Sequence, residues 1–383
     1  MIPIRYSLRS LGQRRRSVAM TGFGIALVVA LFVSMGAFVE GLAGTFEKAG
    51  SDRSVIVTRK GSLAESMSAV SRESVTVLRE LPEVARDHDR SAASPEVVTI
   101  WIVQSPEGAD LSLSLRGLTD AGYAAHPGVK VLEGRRPVSG SDEAMLGRAL
   151  VGKAEGFRVG GSFQLGRRKW RVVGVFDDLG GPAASEIWGP VEGVMDGDRR
   201  TDFSSVLLPL APGASADRLI ARVESDRRFS LHAQRERDYF QAQAGSAEPM
   251  RVVTAIVALI MGLGAVFGAL NTMYASLAGR TREVATLRAL GFPGSSIAAA
   301  FVTESLLVAV PAGILGCLLA LPVEGREVAT LNMWTFSQVA FSPRITPAVL
   351  AAGLGFSLVI GLLGGLWPAR AAASTPLSVQ LRR

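Results

Sequence analysis

Few residues in this chain have the types and spacing for chemistry, and each has a plainer reading beside it. Gly147-Arg148-Ala149-Leu150-Val151-Gly152-Lys153-Ala154 carries the two glycines and the lysine of a phosphate-binding loop. In such a loop backbone amides cradle phosphates and a final Ser or Thr holds magnesium. Here that place is Ala154, so the hydroxyl is missing and a turn in a β-rich region fits better. Asp87-His88-Asp89 has the make-up of a metal or acid–base cluster, but charged residues in a row on a loop form a solvated surface. Asp177-Asp178 follows a strand and meets glycines, as a turn does. No G-x-S-x-G elbow and no H-E-x-x-H helix occurs. His88, His126 and His232 are far apart, and the single cysteine, Cys317, lies in an apolar run, which leaves no disulfide and no cysteine zinc site within one chain. No catalytic residue, metal ligand or bound cofactor is therefore assigned.

Glu304 differs from these. It is the one ionisable residue clearly inside an apolar run, and a carboxylate there is costly enough to be a functional candidate. It falls about two turns from the end of its helix. An ion pair with Arg288, or a contact with a partner, is favoured over a proton or substrate relay, because one carboxylate makes no hydrophilic route.

The elements that position these residues follow from the apolar pattern. The 383 residues are 48% hydrophobic and 20% charged, with a mean hydropathy of +0.29. Most apolar residues gather in four runs, at 18–42, 250–275, 297–321 and 347–367. Each is long enough to cross a hydrocarbon core of about 30 Å as a helix, the form that satisfies its own backbone in lipid. This excludes a purely soluble or disordered chain, and four spans leave little room for the polar path of a channel or secondary transporter. The first run reads as an uncleaved anchor, being longer than the apolar part of a signal peptide.

Direction follows from arginines in the short flanks. Arg5, Arg9, Arg14, Arg15 and Arg16 precede the first span, Arg280, Arg282 and Arg288 lie between the second and third, and Arg370, Arg382 and Arg383 follow the fourth. Both ends and the 276–296 loop are thus expected in the cytoplasm. The 43–249 domain and a short 322–346 loop are expected outside, and 368–383 is a cytoplasmic tail. Ile4, Leu8 and Leu11 with Arg5 and Arg9 read as an interfacial amphipathic helix within 1–17. These flanks account for the formal charge of +7 without nucleic acid.

The 43–249 region reads as α+β. Strands are expected at 54–58, 97–103, 205–210 and 229–233, and helices at 71–81 and 215–224. The two strand–helix–strand units make one subdomain split by an insertion at about 110–200. In the insertion Lys169–Phe176 is the clearest strand, with 143–146 pairing nearby. The predicted fold is a membrane protein of four transmembrane helices with a large α+β extracytoplasmic domain between the first and second.

Small residues mark helix contacts. Gly264 and Gly268, and likewise Gly361 and Gly365, have the four-residue spacing that lets backbones approach, within one chain or between two copies. In the 276–296 loop, Val284, Leu287, Arg288 and Gly291 fall at helical spacing, and Gly291 followed by Pro293 is a stop. A rigid helix between two spans can press into a groove on a partner or lie on the lipid.

Arg282-Glu283-Val284-Ala285-Thr286-Leu287-Arg288-Ala289-Leu290-Gly291-Phe292, then Ile297 and Thr303-Glu304-Ser305-Leu306-Leu307, resembles the FtsX-like permease domain of MacB-type ABC transporters. Trp367-Pro368-Ala369-Arg370-Ala371-Ala372 and Pro376-Leu377-Ser378-Val379 are similar to that family's C-terminal signature. Leu132-Glu133-Gly134-Arg135, Gly147-Arg148-Ala149-Leu150 and Trp170 to Phe176 resemble its periplasmic domain. The resemblance implies an inner-membrane permease that pairs with a second copy, as a homodimer, and recruits a cytoplasmic ABC ATPase carrying the ATP and Mg. Arg282, Glu283, Thr286, Leu287, Arg288, Leu290 and Gly291 would contact that ATPase, and its motion would pass through the spans to the external domain. MacB carries its ATPase fused at the N-terminus; here the ATPase is expected on a separate subunit. A hydrophobic or amphipathic substrate is implied, and a periplasmic membrane-fusion adaptor is a further candidate partner. The FtsX branch implies an alternative, a signalling module that activates a cell-wall hydrolase or sensor.

Overall fold

The computed structural model describes residues 11–12, 14–88, 90–332 and 335–374, and they fall into two units. Ile4, Arg5, Leu8, Arg9, Pro376, Leu377, Ser378, Val379, Arg382 and Arg383 lie outside the described residues.

The first unit comprises residues 1–41, 249–326 and 343–383. Among the described residues four helices are long and apolar enough to cross a membrane. Their helical segments are Arg15–Glu47, Glu248–Gly279, Gly294–Ala320 and Pro347–Ser374. At 1.5 Å per residue even 27 residues reach about 40 Å, more than a bilayer core. Apolar runs mark only the part that meets hydrocarbon, so sequence understates the helices. Pro368 lies inside the fourth helix, which continues to Ser374 rather than giving way to a tail.

The helices meet over small residues. A Cβ on Gly316 would come within 2.7 Å of Ala26 O and Val29 Cβ, and one on Gly353 within 2.5 Å of Val33. Around these contacts Ile25, Val29, Val33, Ala312, Val349 and Ile360 are buried. Leu259, Ile260, Phe267 and Leu318 are exposed, an arrangement that lipid tolerates and water does not.

The second unit comprises Leu42–Glu248 and Glu327–Ser342. Its strands are β1 (Ser54–Arg59), β2 (Arg86–Asp87), β3 (Arg90–Ser91), β4 (Ser94–Gln104), β5 (Asp110–Leu118), β6 (Lys130–Gly134) and β7 (Glu143–Gly147). There follow β8 (Ser162–Leu165), β9 (Arg168–Asp177), β10 (Glu186–Pro190), β11 (Ser205–Pro209), β12 (Leu231–Arg235), β13 (Val328–Leu331) and β14 (Gln338–Phe341). Among the described residues ten strands run in the order β12-β1-β11-β4-β5-β10-β7-β9-β6, with β8 on β9. β4 joins the two halves: Ser94 to Glu96 pair with β11, and Val97 to Gln104 pair with β5.

One core gathers Val55, Val57, Val75, Leu78, Leu208 and Leu219, from both ends of the domain sequence. It packs the helices Arg72–Arg79 and Ala216–Ser225 on the sheet; Ser71 caps the former, its Oγ accepting from Ser74 N at 3.2 Å. The other core holds Leu113, Leu146, Phe157, Trp170, Val172 and Ile187 of the insertion. Phe203 packs against both.

Candidate functional site

The loop between the second and third spans is a helix, Thr281–Ala289. Its end follows from sequence. Gly291 takes φ +89°, Gly291 N donates to Arg288 O, and Phe292 N donates to Leu287 O at 3.1 Å. This is the left-handed glycine stop that satisfies the last carbonyls, with Pro293 just beyond. Val284 and Ala285 are buried. Val284 lies in a cluster with Met273, Ile297, Phe301, Ala369 and Ala372, so the ends of the second, third and fourth spans all hold this helix. Ala369 and Ala372 belong to the C-terminal stretch singled out in the sequence.

The predicted contact residues divide by this packing. Arg282, Glu283, Thr286, Leu290 and Gly291 are exposed, Leu290 by 71%, whereas Leu287 and Arg288 are half-buried. Leu287 and Arg288 share the helical spacing of Val284, but packing buries them only in part.

Sequence reasoning missed Arg280. Its Nη1 donates to Glu304 Oε2 at 2.9 Å, and its Nε to Glu283 Oε2 at 3.0 Å. Its guanidinium also lies 5.6 Å from the centre of the Phe301 ring. The Arg280 and Glu304 side chains are only 12% and 5% exposed. The ion pair of Glu304 is thus made with the residue just before the short helix, where sequence pointed to Arg288. A buried pair of this kind tolerates loss of either partner poorly, since a lone charge would be left. The signal was present: Arg280 is a third arginine in the same loop, and a helix starting at Thr281 turns it back towards the third span.

The four glycines part company. A Cβ on Gly361 would lie 2.5 Å from Ala309 Cβ and one on Gly365 2.8 Å from Ser305 Cβ, and Ser305 Oγ donates to Gly361 O at 2.7 Å. These two serve packing of the third and fourth spans. A Cβ on Gly264 or Gly268 would meet nothing within 4 Å.

The 322–346 loop is more than a link. β13 and β14 pair antiparallel and belong to the second unit. Ala340 N donates to Ser185 Oγ at 2.7 Å, Ser112 Oγ donates to Phe336 O, and Arg148 meets Glu327 at 3.3 Å. Val339 and Phe341 are buried. Sequence read a short external loop here because Val328–Leu331 and Gln338–Phe341 are only four residues each; a pair that short is stable only when docked.

The decoys take their plainer readings. Gly147–Ala154 leaves β7 through a single 3-10 turn and the left-handed Gly152, with no helix to cradle phosphate. Asp87 and His88 sit exposed at the tight β2–β3 turn, and Asp89 lies outside the described residues. Asp177-Asp178 opens a turn through Leu179 and Gly180, both at positive φ. Among the described residues no group of three or more His, Cys, Asp or Glu is placed to hold a metal.

A charged centre that sequence did not reveal lies inside the second unit. Arg116 on β5 donates to Glu65, Glu96 and Glu186 at 2.7–3.0 Å, and its side chain is buried. His126 Nε2 meets Glu96 Oε1 at 2.9 Å. Burial would push His126 down, but Glu96 outweighs it and raises the imidazole to about 9. Burial would raise Glu96, but His126 and Arg116 hold it at about 2. Nearby, burial pushes Asp178 up to about 6 and Glu236 upward. The partners come from positions 65, 96, 116, 126 and 186, a grouping that no local pattern encodes.

These features define a class: a four-helix membrane subunit with a large domain inserted after its first helix and a short packed helix between its second and third. The family model for the MacB-like periplasmic core domain matches residues 18–226, and that for the FtsX-like permease C-terminal domain matches residues 255–377. The chain belongs to the MacB/FtsX-like ABC transporter permease family. Both matched regions are permease and periplasmic ones. The macrolide export ATP-binding/permease protein MacB of Mannheimia succiniciproducens is 27% identical over 219 residues, covering 54% of this chain and 32% of that protein. The uncharacterized ABC transporter permease YknZ of Bacillus subtilis is 25% identical over 212 residues, covering 53% of this chain and 51% of that protein. The chain thus spans about a third to a half of the length of these relatives. The periplasmic region of MacB from Actinobacillus actinomycetemcomitans superposes with a TM-score of 0.37 at 12% identity, covering 49% of this chain and 91% of that one.

Proposed function

We propose that this chain is the permease subunit of a MacB/FtsX-type ABC transporter that carries the motion of a separate ATPase across the membrane to its external domain. The work done there is export or extraction of a hydrophobic or amphipathic substrate. The observation that carries this reading is the two-sidedness of the Thr281–Ala289 helix. Val284 is sunk among the span ends and Ala285 is buried, while Arg282, Glu283, Thr286 and Leu290 are exposed. A helix gripped on one face by three spans and open on the other passes on a push instead of absorbing it. ATP and Mg belong to the ATPase in this reading, and this chain performs no catalysis.

The flanking arginines support an inner-membrane orientation with this helix and both ends in the cytoplasm. Glu304, paired with Arg280, fixes the helix to the third span and relays no proton. Gly264 and Gly268, which meet nothing in the single chain, suit close approach of a second copy. The docked β13–β14 pair supports a second line of transmission, from the third and fourth spans into the external domain. A membrane-fusion adaptor would join the assembly on that side.

The test is co-purification with the ATPase. Replacing Arg282, Thr286 and Leu290 together by alanine is expected to weaken the complex at least about tenfold, the loss of roughly one modest hot spot. Membrane insertion should be unchanged. An undiminished complex overturns the role given to this helix. Capture of a wall hydrolase on the external domain, without substrate-dependent ATPase stimulation, would favour the signalling alternative.

A further inference from the structure

A cavity of about 210 Å³ lies inside the second unit, between the β13–β14 pair and the segment that follows β7. Leu111, Leu113, Ala149 and Leu150 form one side of it, and Val328, Ala329 and Ala340 the other. Lys153, Glu327, Ser185 and Gln338 also line it, and Ser185 Oγ already accepts from Ala340 N. The two charges are not equivalent. Glu327 is taken up by Arg148, which also meets Asp177. Lys153 is exposed and has no carboxylate partner among the described residues. The lysine that imitates a nucleotide loop in the sequence thus stands beside an aliphatic pocket.

We propose that this cavity binds a small single-chain amphiphile from the surrounding medium, its tail among the aliphatic side chains and its anionic head on Lys153. A mainly aliphatic lining with a few polar groups and one unmatched charge is the usual make-up of a small-molecule site. A cavity of this size suits a short acyl chain and not a two-chain phospholipid. One wall is the strand pair that leads directly into the third and fourth spans, so an occupant would bear on the joint between that pair and the rest of the domain. The inference stands whether or not an ATPase drives the chain.

The experiment uses the full chain in lipid nanodiscs with an octanoate analogue carrying a tail diazirine, and adducts mapped by mass spectrometry after irradiation. Adducts are expected within 111–113, 149–153 and 327–340. Excess octanoate should suppress them, and octyltrimethylammonium should not. Ala329→Trp, at an exposed wall position, should abolish this labelling with the unfolding temperature unchanged. Lys153→Glu should raise the octanoate needed for suppression about tenfold, the effect of about 1.4 kcal/mol. Adducts confined to the spans, equal suppression by the cationic amphiphile, or labelling indifferent to Ala329→Trp would each overturn the proposal. None of these results bears on co-purification with an ATPase, so the two readings fail separately.

Discussion

Arg116 shows what one buried charge can organise. Its guanidinium holds Glu96 from β4, Glu186 from β10 and Glu65 from the segment before the first external helix, and Trp188 Nε1 adds a bond to Glu186 at 2.7 Å. Such a centre contributes little net stability over an apolar core, but losing one member strands the others. His126 belongs to it and faces Glu96, Arg116, Trp188 and Glu236. Its pKa is raised from 6.5 to about 9, so its contribution is complete below about pH 6.5 and is lost as pH rises through about 9. The unfolding temperature of the external domain should therefore fall by several degrees across that window. His126→Gln should lie lower at pH 6 and lose this part of the pH dependence. Asp178 titrates at about 6, and its own effect falls between its ordinary 3.8 and that value, outside the window. A wild-type melting temperature that is flat from pH 6.5 to 9 would refute the pairing.

At the scale of elements, the third and fourth spans are joined by absence of side chain. Gly361 and Gly365 let the helices close until Ala309 Cβ and Ser305 Cβ occupy the space a side chain would need. In lipid no hydrophobic force drives helices together, so this close packing and the bond from Ser305 to Gly361 O carry the association. Gly361→Leu should overpack this seam by about 1–3 kcal/mol, and the thermal midpoint of the solubilised chain should drop accordingly. Gly268→Leu should leave the midpoint of the monomeric chain nearly unchanged, because a Cβ there meets nothing within 4 Å in the single chain, and should act only on pairing of two copies. Equal losses for both would show that the two glycine pairs play one role. The G-x-x-x-G spacing itself was legible in the sequence. Which pair packs within the chain was not, since spacing records only that an approach is allowed.

At the scale of the whole molecule, the external domain is continuous with the spans at four points of the chain, two of them through β13 and β14. The docking of that pair rests on buried Val339 and Phe341 and on the bonds from Ala340 N and Ser112 Oγ. Val339→Asp would place a charge in this buried layer and should release the pair, read as faster amide exchange over 328–341. In the reconstituted complex it should lower substrate-stimulated turnover while the ATPase stays bound. Unchanged exchange and turnover would show that the strand pair is merely a link. The four spans, the split α+β domain and the stop at Gly291 were legible in the sequence because each is written in local terms: run length, periodicity of 2 or 3.6, and a glycine where the chain turns left-handed. The partner of Glu304, the Arg116 centre and the docked strand pair were decided only in the tertiary structure. Their members lie tens to more than two hundred residues apart, and a charge or a four-residue strand has no fixed meaning until packing removes the water that would otherwise satisfy it.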